Sequence, residues 1–484
     1  MPPSIHSRRR WLSLIVLCLG VLMIVLDSTV VNVALPSIGA DLGFSETALV
    51  WVVNAYLLTF GGFLLLGGRL GDLYGARRLF LVGIVVFTLA SLACGLAQSR
   101  APLIWARAIQ GLGGAVVSAV SLSLIMNMFT EPGERAKAMG VYGFVCSAGG
   151  SIGVLLGGVL TTSLNWHWIF LVNLPVGVLV YVLCLWMIPD TRPDVQRGTG
   201  RLDVLGATTV TCSLMLAVYA IVNGNEAGWT SPQSIGLLSA AAVLMAVFLT
   251  VESRVRTPLM PLALFRSRAV TTANIAAVLW AAAMFAWFFI CALYLQRVLG
   301  YNALQVSLAF LPANLVMAAL SLGFSAKLVM RFGIKIPLAA GLVSAAVGLA
   351  LFAGAPLKAD AVTDVLPGMI LLGIGAGIAF NPLLLAAMSG VEASESGLAS
   401  GVVNTSFMMG GALGLAILAS AAARWTTKLH EAAVESVAAL NGGYHVAFAL
   451  GAACAVCAAV IGVVLLPSGN AAELKGHGST GSAP

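Results

Sequence analysis

Apolar residues run along this chain in blocks of about twenty, broken by short clusters of charge, Pro and Gly, without the period-two alternation of a half-buried strand. A membrane-spanning helix needs roughly 20 mostly apolar residues. The blocks predict fourteen spans: 12–34, 48–67, 79–98, 103–128, 136–161, 168–188, 204–223, 234–251, 269–295, 304–326, 336–355, 366–390, 398–422 and 444–466. The connections are short. The segment 423–443 has Leu429, Ala433, Val437 and Leu440 at helical spacing ahead of Asn441-Gly442-Gly443, which predicts a short interfacial helix with a glycine stop. The stretch after Pro467 is rich in Gly, Ser and Ala and is expected to be disordered.

Composition agrees: 60% of the 484 residues are apolar and 9% charged, against about 45–50% and a quarter in soluble proteins. That excludes a soluble enzyme, a nucleic-acid-binding domain and a large folded extramembrane domain. An even number of spans puts both termini on one side. If that side is cytoplasmic, 19 of the 25 Lys+Arg face inward, five face outward and one, Arg107, falls within a span. The positive-inside rule therefore predicts a multi-pass protein of the plasma or inner membrane with both termini cytoplasmic. The net charge of +7 reports topology and no acidic partner. Arg8-Arg9-Arg10 precedes a span too long for a signal peptide and lacking a cleavage site, so a retained first helix is expected.

The eight cysteines lie in apolar runs, and Cys454 and Cys457 form a lone C-x-x-C inside a helix. The five histidines show no metal-ligand spacing, and no Gly-rich loop ends in Lys-Ser/Thr. No metal, cofactor, nucleotide or nucleic acid is expected, and no enzymatic activity.

A weak repeat at an offset of 258 pairs Gly75 with Gly333, Arg77 with Lys335 and Gly83 with Gly341. Span 1 then falls on span 9, leaving spans 7 and 8 as an insert. The expected organisation is an all-α membrane protein of two six-helix bundles plus two inserted helices. Residues 1–11 form a cytoplasmic tail, 12–188 the first bundle, 189–268 the insert with its linkers, 269–466 the second bundle, and 467–484 a cytoplasmic tail.

Asp27 is the one carboxylate deep in a span. A charge there costs about 2.5–3.5 kcal/mol on insertion scales, which marks it as a functional-site candidate able to load and release a proton; a structural acid paired to a neighbouring helix is the plainer reading. Arg107, near the outer end of span 4, either snorkels or sits where Gln110, Gly111, Gly113 and Gly114 let another helix approach closely. Gly149, Gly153 and Gly157, with Gly158 beside them, form a helix-packing stripe on span 5. Between 269 and 466 the acids Asp360, Asp364, Glu392, Glu395, Glu431 and Glu435 map to loops or helix ends. Asp27 is thus the only anionic group expected near a central cavity, which favours neutral or monocationic substrates over dications. Asn32, Asn54, Gln110, Asn404, Trp51, Phe285 and Met408 are candidates to line that cavity, with core packing or lipid contact as the plainer role of the apolar ones.

Leu26-Asp27-Ser28-Thr29-Val30-Val31-Asn32-Val33-Ala34-Leu35-Pro36 resembles the first-helix motif of the fourteen-helix drug:proton antiporter branch of the major facilitator superfamily. Gly68-Arg69-Leu70-Gly71-Asp72-Leu73-Tyr74-Gly75-Ala76-Arg77-Arg78 resembles the loop between helices 2 and 3, Arg107 with Gln110-Gly111 the helix-4 motif, Trp166 to Gly177 the entry to helix 6, and Gly397 to Thr405 the helix-13 signature. The resemblance implies the major facilitator fold, proton coupling through Asp27 and Arg107, and a conformational latch of Gly68, Asp72, Gly75, Arg77 and Arg78. It implies protons, the lipid bilayer and small lipophilic or monocationic substrates as partners, in multidrug efflux and antibiotic resistance. Three positions depart from the pattern: Val154 replaces the Pro that usually follows the middle glycine of helix 5, His167 stands for Arg, and Phe407-Met408 for Arg-Gln. A dedicated exporter of one natural product or metabolite, or an importer, fits the same scaffold. A membrane enzyme or receptor fits poorly, because the sequence has neither clustered catalytic residues nor a sizeable soluble region.

Overall fold

Several helices start where a side chain caps them, and several turns fall on glycine. Ser45 and Ser231 accept the Ala48 and Ser234 amides at 3.3 and 3.1 Å, and Asn302 with Gln305 closes a reciprocal capping box. The computed structural model describes residues 3–129, 131–188, 203–255, 258–389, 391 and 396–466. The helices are α1 Pro3–Leu42, α2 Glu46–Tyr74, α3 Ala76–Gly95, α4 Arg100–Met128, α5 Pro132–Ser163, α6 Trp168–Met187 with an offset turn at Val172, α7 Val204–Ala227 and α8 Pro232–Arg254. After them come α9 Arg268–Val298, α10 Ala303–Ala319 continuing through a wide turn at Leu320–Phe324 into Ser325–Phe332, and α11 Lys335–Ala353. The chain ends with α12, Ala361–Val365 running on into Leu366–Ser389, α13 Ser396–Glu431 and α14 Ser436–Leu465. Thirteen are long and apolar enough to cross a membrane, and α10 reaches that length only with its continuation. Large apolar side chains such as Trp105, Trp186, Leu89 and Val178 point outward, as a lipid-facing surface requires.

Two features differ from expectation. The segment 423–443 forms no separate interfacial helix: α13 runs on to Glu431, the chain turns at Ala433 with φ 59°, and α14 begins at Ser436. Gly442 and Gly443 are packing residues inside α14. A methyl on Gly443 would lie 2.6 Å from the Ala422 carbonyl, and one on Gly442 2.5 Å from Leu429. The segment 68–74 is no loop either; α2 continues to Tyr74 and the turn is Gly75 alone, at φ 94°. The linker 189–202 and the tail 467–484 lie outside the described residues.

The repeat is visible in the packing. Gly75 and Gly333 both turn one helix into the next with positive φ, 94° and 75°. Gly83 packs on the Gly113 carbonyl of α4, and Gly341 on the Gly375 carbonyl of α12. Helices 1–6 and 9–14 meet along α2 with α13 and along α5 with α10. That is the exchange a two-fold axis imposes when α2 corresponds to α10 and α5 to α13. Helix α7 packs on α8 and also on both α2 and α13, held there by Asn225, whose amide donates to the Ser420 carbonyl at 2.8 Å.

The face carrying the start of α1 and the end of α14 is called proximal below, and the opposite face distal. Among the described residues, hydrogen bonds between helices 1–6 and 9–14 gather toward the distal face. The Tyr444 hydroxyl meets Glu46 at 3.1 Å, Gln296 donates to the Val33 carbonyl at 2.9 Å, Ser307 to the Val154 carbonyl at 2.7 Å, and Asn54 to the Ala412 carbonyl at 2.8 Å.

Candidate functional site

Asp27 lies fully buried on α1, enclosed by α2, α3, α4 and α6. The Arg107 guanidinium donates to its Oδ2 at 2.5 Å, and Gln110 and Asn173 donate to its Oδ1 at 2.7 and 2.9 Å. The same two amides donate to the Ser91 hydroxyl at 3.1 and 2.9 Å, and Ser91 donates on to the Phe170 carbonyl at 2.9 Å. Arg107 is itself 1% exposed. Its Nε donates to the Val52 carbonyl at 2.9 Å, another nitrogen donates to the Gln110 oxygen at 2.7 Å, and its Cζ lies 4.4 Å from the Tyr56 ring centroid. Arg107 therefore does not snorkel.

This is a closed polar network in an apolar bundle, with every carboxylate oxygen satisfied. Removing one partner of such a buried pair costs about 3–5 kcal/mol, because the remaining charge has nowhere to go. A proton arriving on Asp27 would remove the partner charge of Arg107 without removing an atom. The arrangement can thus convert a protonation into a force between α1 and α4.

Close helix approach makes the enclosure possible. Methyl groups on Gly153 and Gly157 of α5 would lie 3.1 and 2.8 Å from the Leu26 and Val30 carbonyls of α1, on either side of Asp27. Gly149 meets only side chains of Leu22 and Val25, at 3.0 Å, and Gly158 faces α10 at the Ala303 carbonyl. Without Pro at 154, α5 runs unbroken.

At the α2–α3 turn, Arg77 donates to the Leu185 carbonyl near the end of α6 at 2.8 Å. The Asp72 side chain lies outside the described residues. Gly67 and Gly71, rather than Gly68, touch α4: their added methyls would meet Val116 and Val120 at 3.1 and 3.0 Å, while Gly68 has nothing nearer than 4.0 Å.

The cavity candidates do not gather in one place. Gln110 belongs to the Asp27 network. Asn54 crosses to α13, and Trp51 stands 6.3 Å from the Tyr219 ring of α7. Phe285 packs on Phe407, which in turn meets Phe380 edge-on at 5.2 Å, while Met408 presses on Gly61 of α2. Asn32 and Asn404 bond to the Ser28 and Ser400 carbonyls of their own helices at 3.3 and 3.0 Å. Asp27 does not open onto a space between the halves; it is inside helices 1–6 and already neutralised, so it offers no free negative charge to a substrate. Ser91, Asn173 and Tyr56 were not singled out in the sequence. Only Asn173, polar within the 166–177 motif, carried a usable signal.

The family model of the Major Facilitator Superfamily matches residues 17–415. The puromycin resistance protein pur8 of Streptomyces alboniger is 39% identical over 468 residues, covering 95% of this chain and 92% of its own. The multidrug resistance protein Stp of Mycobacterium tuberculosis is 38% identical, covering 89% of this chain and 79% of its own. The cephamycin export protein CmcT of Amycolatopsis lactamdurans is also 38% identical, covering 84% of each chain. Among solved structures, a nucleoside transporter NupG mutant superposes with a TM-score of 0.65 at 12% identity, over 94% of this chain and all of that one, which bears on the fold alone. The chain belongs to the Major Facilitator Superfamily.

Proposed function

We propose that this protein exports small lipophilic molecules, neutral or singly positive, across the cell membrane in exchange for protons. The observation that carries the reading is the sealed Asp27–Arg107 pair, a titratable group held between helices in an otherwise apolar bundle. Moving one proton down the gradient yields about 2.3 kcal/mol per 100 mV and about 1.4 kcal/mol per pH unit. The sum is of the same order as the roughly 3–5 kcal/mol that holds a buried pair together. Protonation of Asp27 is therefore matched in energy to switching the pair. With both termini cytoplasmic, the distal hydrogen bonds close the outer side, and the chain is in a cytoplasm-facing state of an alternating-access cycle.

The names of these relatives support export of drugs and antibiotics. They also favour a second reading, since puromycin resistance and cephamycin export name single compound classes beside the multidrug protein. Proteoliposomes with an imposed pH gradient, loaded with panels of neutral, monocationic and anionic compounds, separate the two. Broad export abolished by a protonophore supports the first; gradient-driven export of one class supports the second. Export indifferent to the gradient overturns both.

A further inference from the structure

The two inserted helices carry a pair of buried carboxyls that the transport reading does not use. Asp203 caps the start of α7, and Glu252 lies in the last turn of α8, both at the proximal face. They are 7% and 3% exposed. Each has one oxygen satisfied by a backbone amide: Gly206 donates to Asp203 Oδ1 at 2.7 Å, and Met260 to Glu252 Oε2 at 3.1 Å. The other oxygens, Asp203 Oδ2 and Glu252 Oε1, are buried without a donor. They face the same spot. A methyl on Gly206 would lie 2.5 Å from the first and 2.9 Å from the second, and the two carboxyls are within hydrogen-bonding reach of each other.

Two ionised acceptors in that position repel, and among the described residues no cation offsets them; Arg201 and Arg256 lie outside the described residues. Arg69 of α2 and Arg254 of α8 are exposed, the Asp72 side chain is outside the described residues, and α13 carries no charged residue from Leu398 to Ser420. A single proton turns the repulsion into an O–H···O⁻ bond, among the strong charge-assisted kind. A metal ion fits poorly, because hard cations take about six or more oxygen ligands and only two oxygens here are free.

We propose that Asp203 and Glu252 share one proton and form a second proton-binding site, separate from Asp27, at the base of the α7–α8 hairpin. The shared proton staples α7 to α8. Through the Met260 amide it also fixes the segment leading into α9. The site borders α2, where Leu66 packs with Ala207 and Leu259, so the staple ties the insert to both halves near the α2–α3 turn. Loss of the proton to an alkaline cytoplasm splits the carboxyls and releases the joint. None of this depends on what the chain transports.

The test is infrared spectroscopy of the full-length protein in lipid nanodiscs across a pH titration, beside thermal unfolding. Wild type is expected to show a protonated-carboxyl band that Glu252→Gln and Asp203→Asn each remove, because either amide donates to the remaining carboxylate. Wild-type unfolding temperature is expected to fall as pH rises through loss of that band, and the slope to vanish in either variant. If a variant fails to fold, ¹³C-labelling of glutamate carboxyls in wild type must shift the band. A band that survives either substitution, no band in wild type, or a stability gain on adding sodium or calcium overturns the proposal.

Discussion

Asp27 and Arg107 are 80 positions apart in the chain and 2.5 Å apart in space, and the contact binds α1 to α4 inside the first half. Neither residue is exchangeable alone. Asp27→Asn keeps the shape but leaves the guanidinium unpaired, so a loss of about 3–5 kcal/mol in stability is expected, with the protein still inserted and gradient-driven efflux abolished. The double variant Asp27→Asn/Arg107→Gln is expected to regain part of the stability and none of the transport. Unfolding curves and proteoliposome efflux measured on the same preparations check this; wild-type efflux by Asp27→Asn would remove Asp27 as the proton carrier.

The glycines of α5 are predicted to differ in sensitivity. Gly157→Ala sets a methyl 2.8 Å from the Val30 carbonyl, where only a shift of the α1 backbone relieves it. Gly149→Ala meets flexible side-chain ends at 3.0 Å. Efflux is expected to drop at least several-fold more in the first than in the second. Equal rates would mean that α1 is free to move against α5.

At the α2–α3 turn, Gly75→Leu forces a side chain onto a backbone at φ 94° and ψ 121°, a conformation that costs about 1–3 kcal/mol. It is expected to slow transport while substrate binding persists. Gly68→Ala, with no neighbour closer than 4.0 Å, is expected to be near wild type. Binding titrations beside turnover rates distinguish a latch from a binding residue.

Tyr444→Phe removes the hydroxyl that meets Glu46 across the distal face. A hydrogen bond contributes about 0.5–1.5 kcal/mol, so a roughly two- to ten-fold shift toward the distally open state is expected. Spin labels on the distal ends of α2 and α14 report it as a longer distance population; an unchanged distribution would show that the contact does not hold the face closed.

Substrate charge gives a further comparison. Asp27 is committed to Arg107 and offers a dication no free carboxylate, and leaving its charge unpaired costs several kcal/mol. Matched neutral, singly and doubly charged dyes are expected to be exported in falling order. Equal or faster export of the divalent dye would disprove the charge argument.

The span pattern was legible because lipid demands long apolar runs, and Asp27 and Arg107 stood out because charge within those runs is rare. Asn173 and Ser91 were hidden: uncharged polar residues leave the hydropathy of a span almost unchanged, and only folding brings them to one carboxylate. Asn441-Gly442-Gly443 misled for a different reason. Glycine permits a turn and a close contact alike, and which of these it serves depends on Ala422 and Leu429 of the neighbouring helix. Asp203 and Glu252 were masked by position, since acids at helix ends ordinarily face water.

Helix α7 has a consequence for the geometry of motion. It grips α2 and α13 together, through Asn225 and Ser420 on one side and a methyl-free contact of Gly62 with Thr211 on the other. Among the described residues the α5–α10 meeting line has no such splint. The two sides of the molecule are therefore mechanically unlike: a rocking movement spreads more readily where only the Ser307 and Thr162 hydroxyls are seen to span the gap than where a third helix is glued across it. A greasy molecule diffusing in the bilayer would find one flank shuttered and the other hinged.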